Sequence, residues 1–151
     1  MMRQTLALGA LAMILGLAAC SARGEVNTSG AGTMQSWTAN VAASGTDGHS
    51  GFATASTDGS GETRANVTLT GGSEGGNHPW HIHSGTCGSD GAIVGDPAAY
   101  PALRPDPSGN ASATATLDVA LDPQASYHVN LHQSPTALGT IVGCGELRTS
   151  H

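Results

Sequence analysis

Three stretches of this chain alternate apolar and polar residues with a period of two. Trp37, Ala39, Val41 and Ala43 alternate with Ser36, Thr38 and Asn40. Ala65, Val67 and Leu69 alternate with Arg64, Asn66 and Thr68. Ala113, Ala115, Leu117, Val119 and Leu121 alternate with Ser112, Thr114, Thr116 and Asp118. Successive side chains of an extended strand point to opposite faces, so the pattern is that of strands with one face buried. Residues 51–57 and 140–147 carry weaker versions, blurred by glycines and small residues, and residues 79–83 and 127–132 bring the expected strands to seven. Asp47-Gly48, Asp58-Gly59-Ser60-Gly61, Gly71-Gly72, Ser108-Gly109-Asn110 and Asp122-Pro123 supply turns between them. Past the N-terminal segment no run of helical period survives this punctuation. The expected fold is all-β, a β-sandwich or Greek-key barrel.

Residues 1–19 have the make-up of an export signal. Arg3 gives a positive start, an apolar run with small residues follows, and Leu17-Ala-Ala-Cys20 closes it. That closing motif resembles a bacterial lipobox, which implies a lipid on Cys20 and a mature chain beginning there. The apolar run is shorter than the roughly 18–20 residues needed to span a bilayer. Residues 20–35 are rich in Ser, Gly, Thr and Asn with little to bury, as in a flexible tether. Residues 36–150 are then a single domain. Its aromatic residues are few and alanine recurs where larger side chains would fill space, so the core is thin for its length.

A covalent staple would offset a thin core. With Cys20 taken by lipid, Cys87 and Cys144 are the two thiols left, and export places them in an oxidising compartment where they are expected to pair. Redox chemistry and metal ligation are the alternatives, but both normally use Cys-x-x-Cys or clustered spacing. The chain has no lysine and a formal net charge of −6, with its arginines scattered. Phosphate binding needs clustered basic residues, so nucleic acid is excluded as an expected partner.

Chemistry concentrates in two of the expected strands. In His78-Pro-Trp-His81-Ile-His83, strand geometry puts His81 and His83 on one face and Trp80 and Ile82 on the other. In Tyr127-His-Val-Asn-Leu-His132 it sends Tyr127, Val129 and Leu131 inward and leaves His128, Asn130 and His132 outward. If the two strands are neighbours, up to four imidazoles converge. Unrelated polar surface histidines are the plain alternative. Two strands of matching pattern, each near a cysteine, favour a metal site, and imidazoles suit copper. Asp90, Asp96 and Asp106, in the long irregular stretch 84–109, are expected to be solvated loop carboxylates rather than ligands of a hard cation.

His78-Pro-Trp-His81-Ile-His83 resembles the His-Gly-Phe-His-Val-His signature of copper/zinc superoxide dismutases. Ile141-Val-Gly-Cys144-Gly145 is similar to the segment around their second disulfide cysteine, and the order of these segments also matches. The resemblance implies an immunoglobulin-like, eight-stranded Greek-key barrel. It implies one copper ion held by His81, His83 and His132, with a fourth ligand from His128 where strand geometry allows, His78 bracing the site, and a Cys87–Cys144 bridge. The chain departs from the family in three ways. Residues 84–109 contain no histidine, so the bridging histidine and the zinc ligands are missing and zinc is not expected. Ile141 stands where the family has the arginine that attracts superoxide. The loop that steers the substrate is reduced to residues 133–139 and carries no charge.

Two functions follow as expectations. One is an exported, lipid-anchored, superoxide dismutase-like copper protein in the periplasm or on the cell surface, with superoxide as its substrate and slow turnover. The other is a non-catalytic copper-binding domain, or a structural or interaction domain of the chordin type, which Trp80-His-Ile-His-Ser-Gly and Gly145-Glu146-Leu147 also resemble.

Overall fold

The computed structural model describes residues 34–150; the expected export signal, Cys20 and most of the expected tether lie outside the described residues. Seven strands form: β1 Gln35–Ala43, β2 Ser50–Thr57, β3 Thr63–Thr70, β4 Trp80–Ser84, β5 Ala111–Leu117, β6 Tyr127–His132 and β7 Ile141–Thr149. All pairings are antiparallel, in the order β4-β6-β7-β1-β2-β3-β5. The sheet curls into a half-barrel. Its last strand returns to lie beside the first, next to the β1-β2-β3 meander, which is the spatial order of a Greek key.

The seven expected strands are all present, and the main difference lies at the end of β5. Alternation runs to Leu121, yet the strand stops at Leu117, which pairs with Thr63 at the very start of β3. Past that point no β3 residue remains to continue the ladder. The Thr63 side chain takes over instead, donating to the Val119 carbonyl at 2.6 Å and accepting from the Leu121 N–H at 3.2 Å.

Inward-facing residues of each strand fill the curl. Trp37, Leu69, Trp80, Ile82, Leu117, Val129 and Leu131 are buried, together with Ala39, Ala53, Ala55, Ala65 and Ala115. With alanine at so many positions, the two tryptophans carry much of the apolar area, of which each Å² removed from water contributes roughly 25 cal/mol. Trp80 is completely buried. It stands edge-on to Tyr100 at 5.0 Å, and its indole N–H donates to the Pro101 carbonyl at 2.8 Å.

That partner belongs to the long stretch between β4 and β5, which does not hang free. It runs along the open edge of β4 through two isolated bridges, His83 with Ile93 and His78 with Leu103. Leu103 is fully buried there, and the Tyr100 hydroxyl donates to the Val94 carbonyl at 2.6 Å. The resemblance implies an eighth strand; among the described residues these bridges occupy the place beside β4. Pro97, Pro101, Pro105 and Pro107 lack the N–H groups that a continuous ladder would need. Near its start the same stretch is tied to β7 by the expected disulfide, Cys87 to Cys144, with Cα atoms 6.0 Å apart.

Candidate metal centre

β4 and β6 are neighbours, so the condition for converging histidines is met. In their register His81 lies opposite Asn130 and His83 opposite His128. His132, at the end of β6, would fall one rung beyond. There the β6–β7 register shifts between Leu131 and His132, an irregularity of the kind that re-aims a side chain. The His132 Nε2 comes to 3.0 Å from His81 Nδ1. One ring nitrogen from each of His81, His83 and His132 lies within 4.8 Å of the other two, a separation a single metal ion can bridge.

Backbone carbonyls decide which nitrogens are free. His83 donates its Nδ1–H to the Gly91 carbonyl at 2.8 Å, and His132 donates its own to the Leu138 carbonyl. Each of these bonds leaves Nε2 as a lone pair, the arrangement that metal-binding histidines normally show. Gly91 can approach this closely only because it lacks a side chain: a Cβ there would stand 1.6 Å from the Ser84 carbonyl oxygen.

The histidine face is not the outward, solvated face expected from alternation. His81, His128, Asn130 and His132 are buried and His83 is half-buried. Alternation assigns side chains to faces but says nothing of what covers a face. Here loops do: Gly85 and Gly91 from the stretch after β4, Leu138 from the β6–β7 loop, and the Tyr100 ring, 5.1 Å from that of His81. β6 is therefore buried on both faces.

The remaining expected residues take distinct places. His78 donates from Nδ1 to the His132 carbonyl at 3.2 Å, so it braces the backbone of one candidate ligand. His128 stacks on His83 at 5.3 Å and donates from Nδ1 to the Gly85 carbonyl at 3.1 Å. Its Nε2 is buried with no hydrogen-bond partner among the described residues, but it is not one of the three clustered nitrogens. The carboxylates of Asp96 and Asp106 accept backbone N–H groups of their own turns, from Ala98 and from Ser108 and Asn110. Ile141 pairs with His132 across the β6–β7 ladder, and Arg148, largely exposed, forms an ion pair with Glu146 at 3.2 Å. One histidine that sequence reasoning missed is His49. It follows the Asp47-Gly48 turn, is buried, and packs edge-on against His78. No alternating pattern marked it, because it lies just before β2.

Burial governs the charge of these rings. It lowers His81 to about 4, helped by the charges that His132 and His83 would carry. Burial also lowers His132 and His128, against the opposing pull of the Leu138 and Gly85 carbonyls. Neutral imidazoles are what a cation requires. A histidine whose native pKa is depressed binds fewer protons folded than unfolded, so its contribution is intact above the ordinary value of 6.5 and is lost as pH falls below it. For His81 that loss continues down to about 4. The metal-free domain is therefore expected to lose stability steadily from about pH 6.5 to 4, seen as a falling urea midpoint, and to lose less in a His81→Phe variant. An identical pH dependence in the variant would contradict the assignment.

Fold and site together define an all-β domain with a buried three-imidazole candidate metal centre. No protein-family model matches the chain, and no curated protein matches it.

Proposed function

We propose that the chain is a superoxide dismutase-like copper protein, exported and held to a membrane by lipid on Cys20. The observation that carries the metal assignment is the cluster itself: three imidazole nitrogens within 4.8 Å, with lone pairs freed by carbonyl partners on His83 and His132. An all-imidazole donor set suits copper better than calcium or magnesium, which prefer oxygen. Bound copper would supply one-electron chemistry, cycling between its two oxidation states as superoxide is oxidised in one step and reduced in the next. His81, His83 and His132 would hold it, and His78 would fix the His132 backbone. Burial disfavours the protonated forms of His81 and His132, so at these two ligands protons would compete little with the ion at neutral pH.

Attraction of superoxide is the weaker half of the reading. A negative substrate needs positive potential near the metal. The candidate site has Ile141 beside His132, and Arg148 is exposed and already paired with Glu146. No residue of the described set is positioned as a bridging imidazole between two metals, so protons would come from water. These features favour slow turnover, or copper binding without turnover, as the second reading. The test is to load the purified protein with Cu(II), record paramagnetic resonance for nitrogen coupling, and measure superoxide consumption. Nitrogen hyperfine structure is expected, with turnover well below the diffusion ceiling of about 10⁹ M⁻¹s⁻¹. Absence of nitrogen coupling would refute the site, and turnover near the ceiling would refute only impaired catalysis.

Localisation is tested separately. Cys20→Ser is expected to release the protein from membranes or to block its processing, as read by fractionation and by mass of the mature N-terminus. Wild-type protein found soluble with a different N-terminus would dispose of lipidation.

A further inference from the structure

A second pair of imidazoles lies behind the first site, at the end of the barrel where the β1–β2 turn, the β3–β4 loop and the β6–β7 loop meet. His49 and His78 are each more than nine-tenths buried, and their ring centroids are 4.6 Å apart. That separation is close to the 5.0 Å between His81 and His132, whose nitrogens do converge. Both rings line a cavity of about 410 Å³ bordered by polar groups, among them Asp47, Ser73 and Gln133.

Each ring has one nitrogen without a hydrogen-bond partner among the described residues: Nδ1 of His49 and Nε2 of His78. Because His78 uses Nδ1–H to donate to the His132 carbonyl, its Nε2 is a buried lone pair. With its proton on Nε2, the neutral His49 ring presents Nδ1 as a second buried lone pair. Space is kept beside His78 as well. A Cβ on Gly76 would stand 2.6 Å from Nε2, so a larger residue there would fill the place next to the lone pair. Two buried acceptors cannot satisfy one another, and an unsatisfied buried polar group is costly. A cation satisfies both.

We propose that His49 and His78 form a second binding site for a borderline transition-metal cation, completed by water. Two imidazoles and an oxygen donor suit zinc or copper. The site shares no ligand with the His81, His83 and His132 cluster, and it stands whether or not that cluster holds copper. His78 does touch both sites, since it also braces His132, so His49 is the residue that isolates the second.

Equilibrium dialysis of the full chain against Zn(II), with metal counted by mass spectrometry, tests this. The wild-type chain is expected to bind one more zinc ion than His49→Gln, whose circular dichroism should match the wild type. A His81→Ala, His83→Ala, His132→Ala triple variant is expected to retain one ion, and to lose it when His49→Gln is added. Equal zinc counts in wild type and a folded His49→Gln overturn the second site. If His49→Gln fails to fold, the triple variant decides, and a triple variant that binds no zinc overturns the proposal. A triple variant that binds as much zinc as wild type would show that the first site takes no zinc and would leave the second standing.

Discussion

Alanine in place of His81, His83 or His132 is expected to lower Cu(II) affinity by on the order of a hundredfold or more. Residues that merely orient a metal ligand typically cost 10–100-fold when removed, so direct ligands set the upper end of the series. His78→Ala should fall within that lower band for the His81, His83 and His132 site, because there it removes only the bond to the His132 carbonyl. The ranking is the informative part. Were His78→Ala to cost more than all three cluster variants, His78 would have to be a ligand of this site, which its Nδ1 contact with a carbonyl does not suggest. His128→Ala separates the remaining case. Its Nε2 lies outside the three clustered nitrogens, so a small change is expected, and a loss equal to that of His83→Ala would make it the fourth ligand. Competitive titration against a chromophoric chelator gives these affinities, with paramagnetic resonance reporting the number of coupled nitrogens.

Breaking the Cys87–Cys144 bridge is the second large effect. The two residues are 57 apart in sequence. Closing a loop of that length stabilises the folded state by about 4 kcal/mol in the chain-entropy model, and native domains retain only about 5–15 kcal/mol in total. Cys87→Ser with Cys144→Ser should therefore lower the urea midpoint severely and leave a substantial unfolded population at 37 °C. The bridge also acts on the site. Cys87 sits between Gly85 and Gly91, whose carbonyls hold the Nδ1–H groups of His128 and His83. Freeing that segment from β7 loosens both partners, so copper affinity should drop even under conditions where the domain stays folded. A double variant with unchanged urea midpoint would show that the staple is dispensable. One with full copper affinity would show that the carbonyls keep their places without it.

The strands were legible in the sequence because alternation is a local property. Trp37, Ala39 and Val41, or Ala65, Val67 and Leu69, occupy inward positions whatever their distant neighbours are, since the period of two follows from backbone geometry alone. The grouping of His81 with His83 on one face, and of His128 with His132 on another strand, was legible for the same reason. Cysteine count and expected compartment pointed to the Cys87–Cys144 pair, which the fold contains.

What alternation could not supply was anything set by another segment. It marked the histidine face as outward, whereas loops carrying Gly85, Gly91, Tyr100 and Leu138 bury it. It gave no reason to choose His132 over His128 for the cluster. That choice rests on a register shift between Leu131 and His132, which depends on how β7 pairs with β6. It ran β5 on to Leu121, although β3 begins at Thr63 and leaves residue 119 without a strand partner. It passed over His49, which becomes notable only when the β1–β2 turn closes onto His78. The sequence by itself determined the strands and which residues share a face, because a strand's own backbone fixes them. Only the tertiary structure decided which imidazoles meet, which carbonyls free their lone pairs and which faces are dry, because those depend on contacts between segments far apart in the chain.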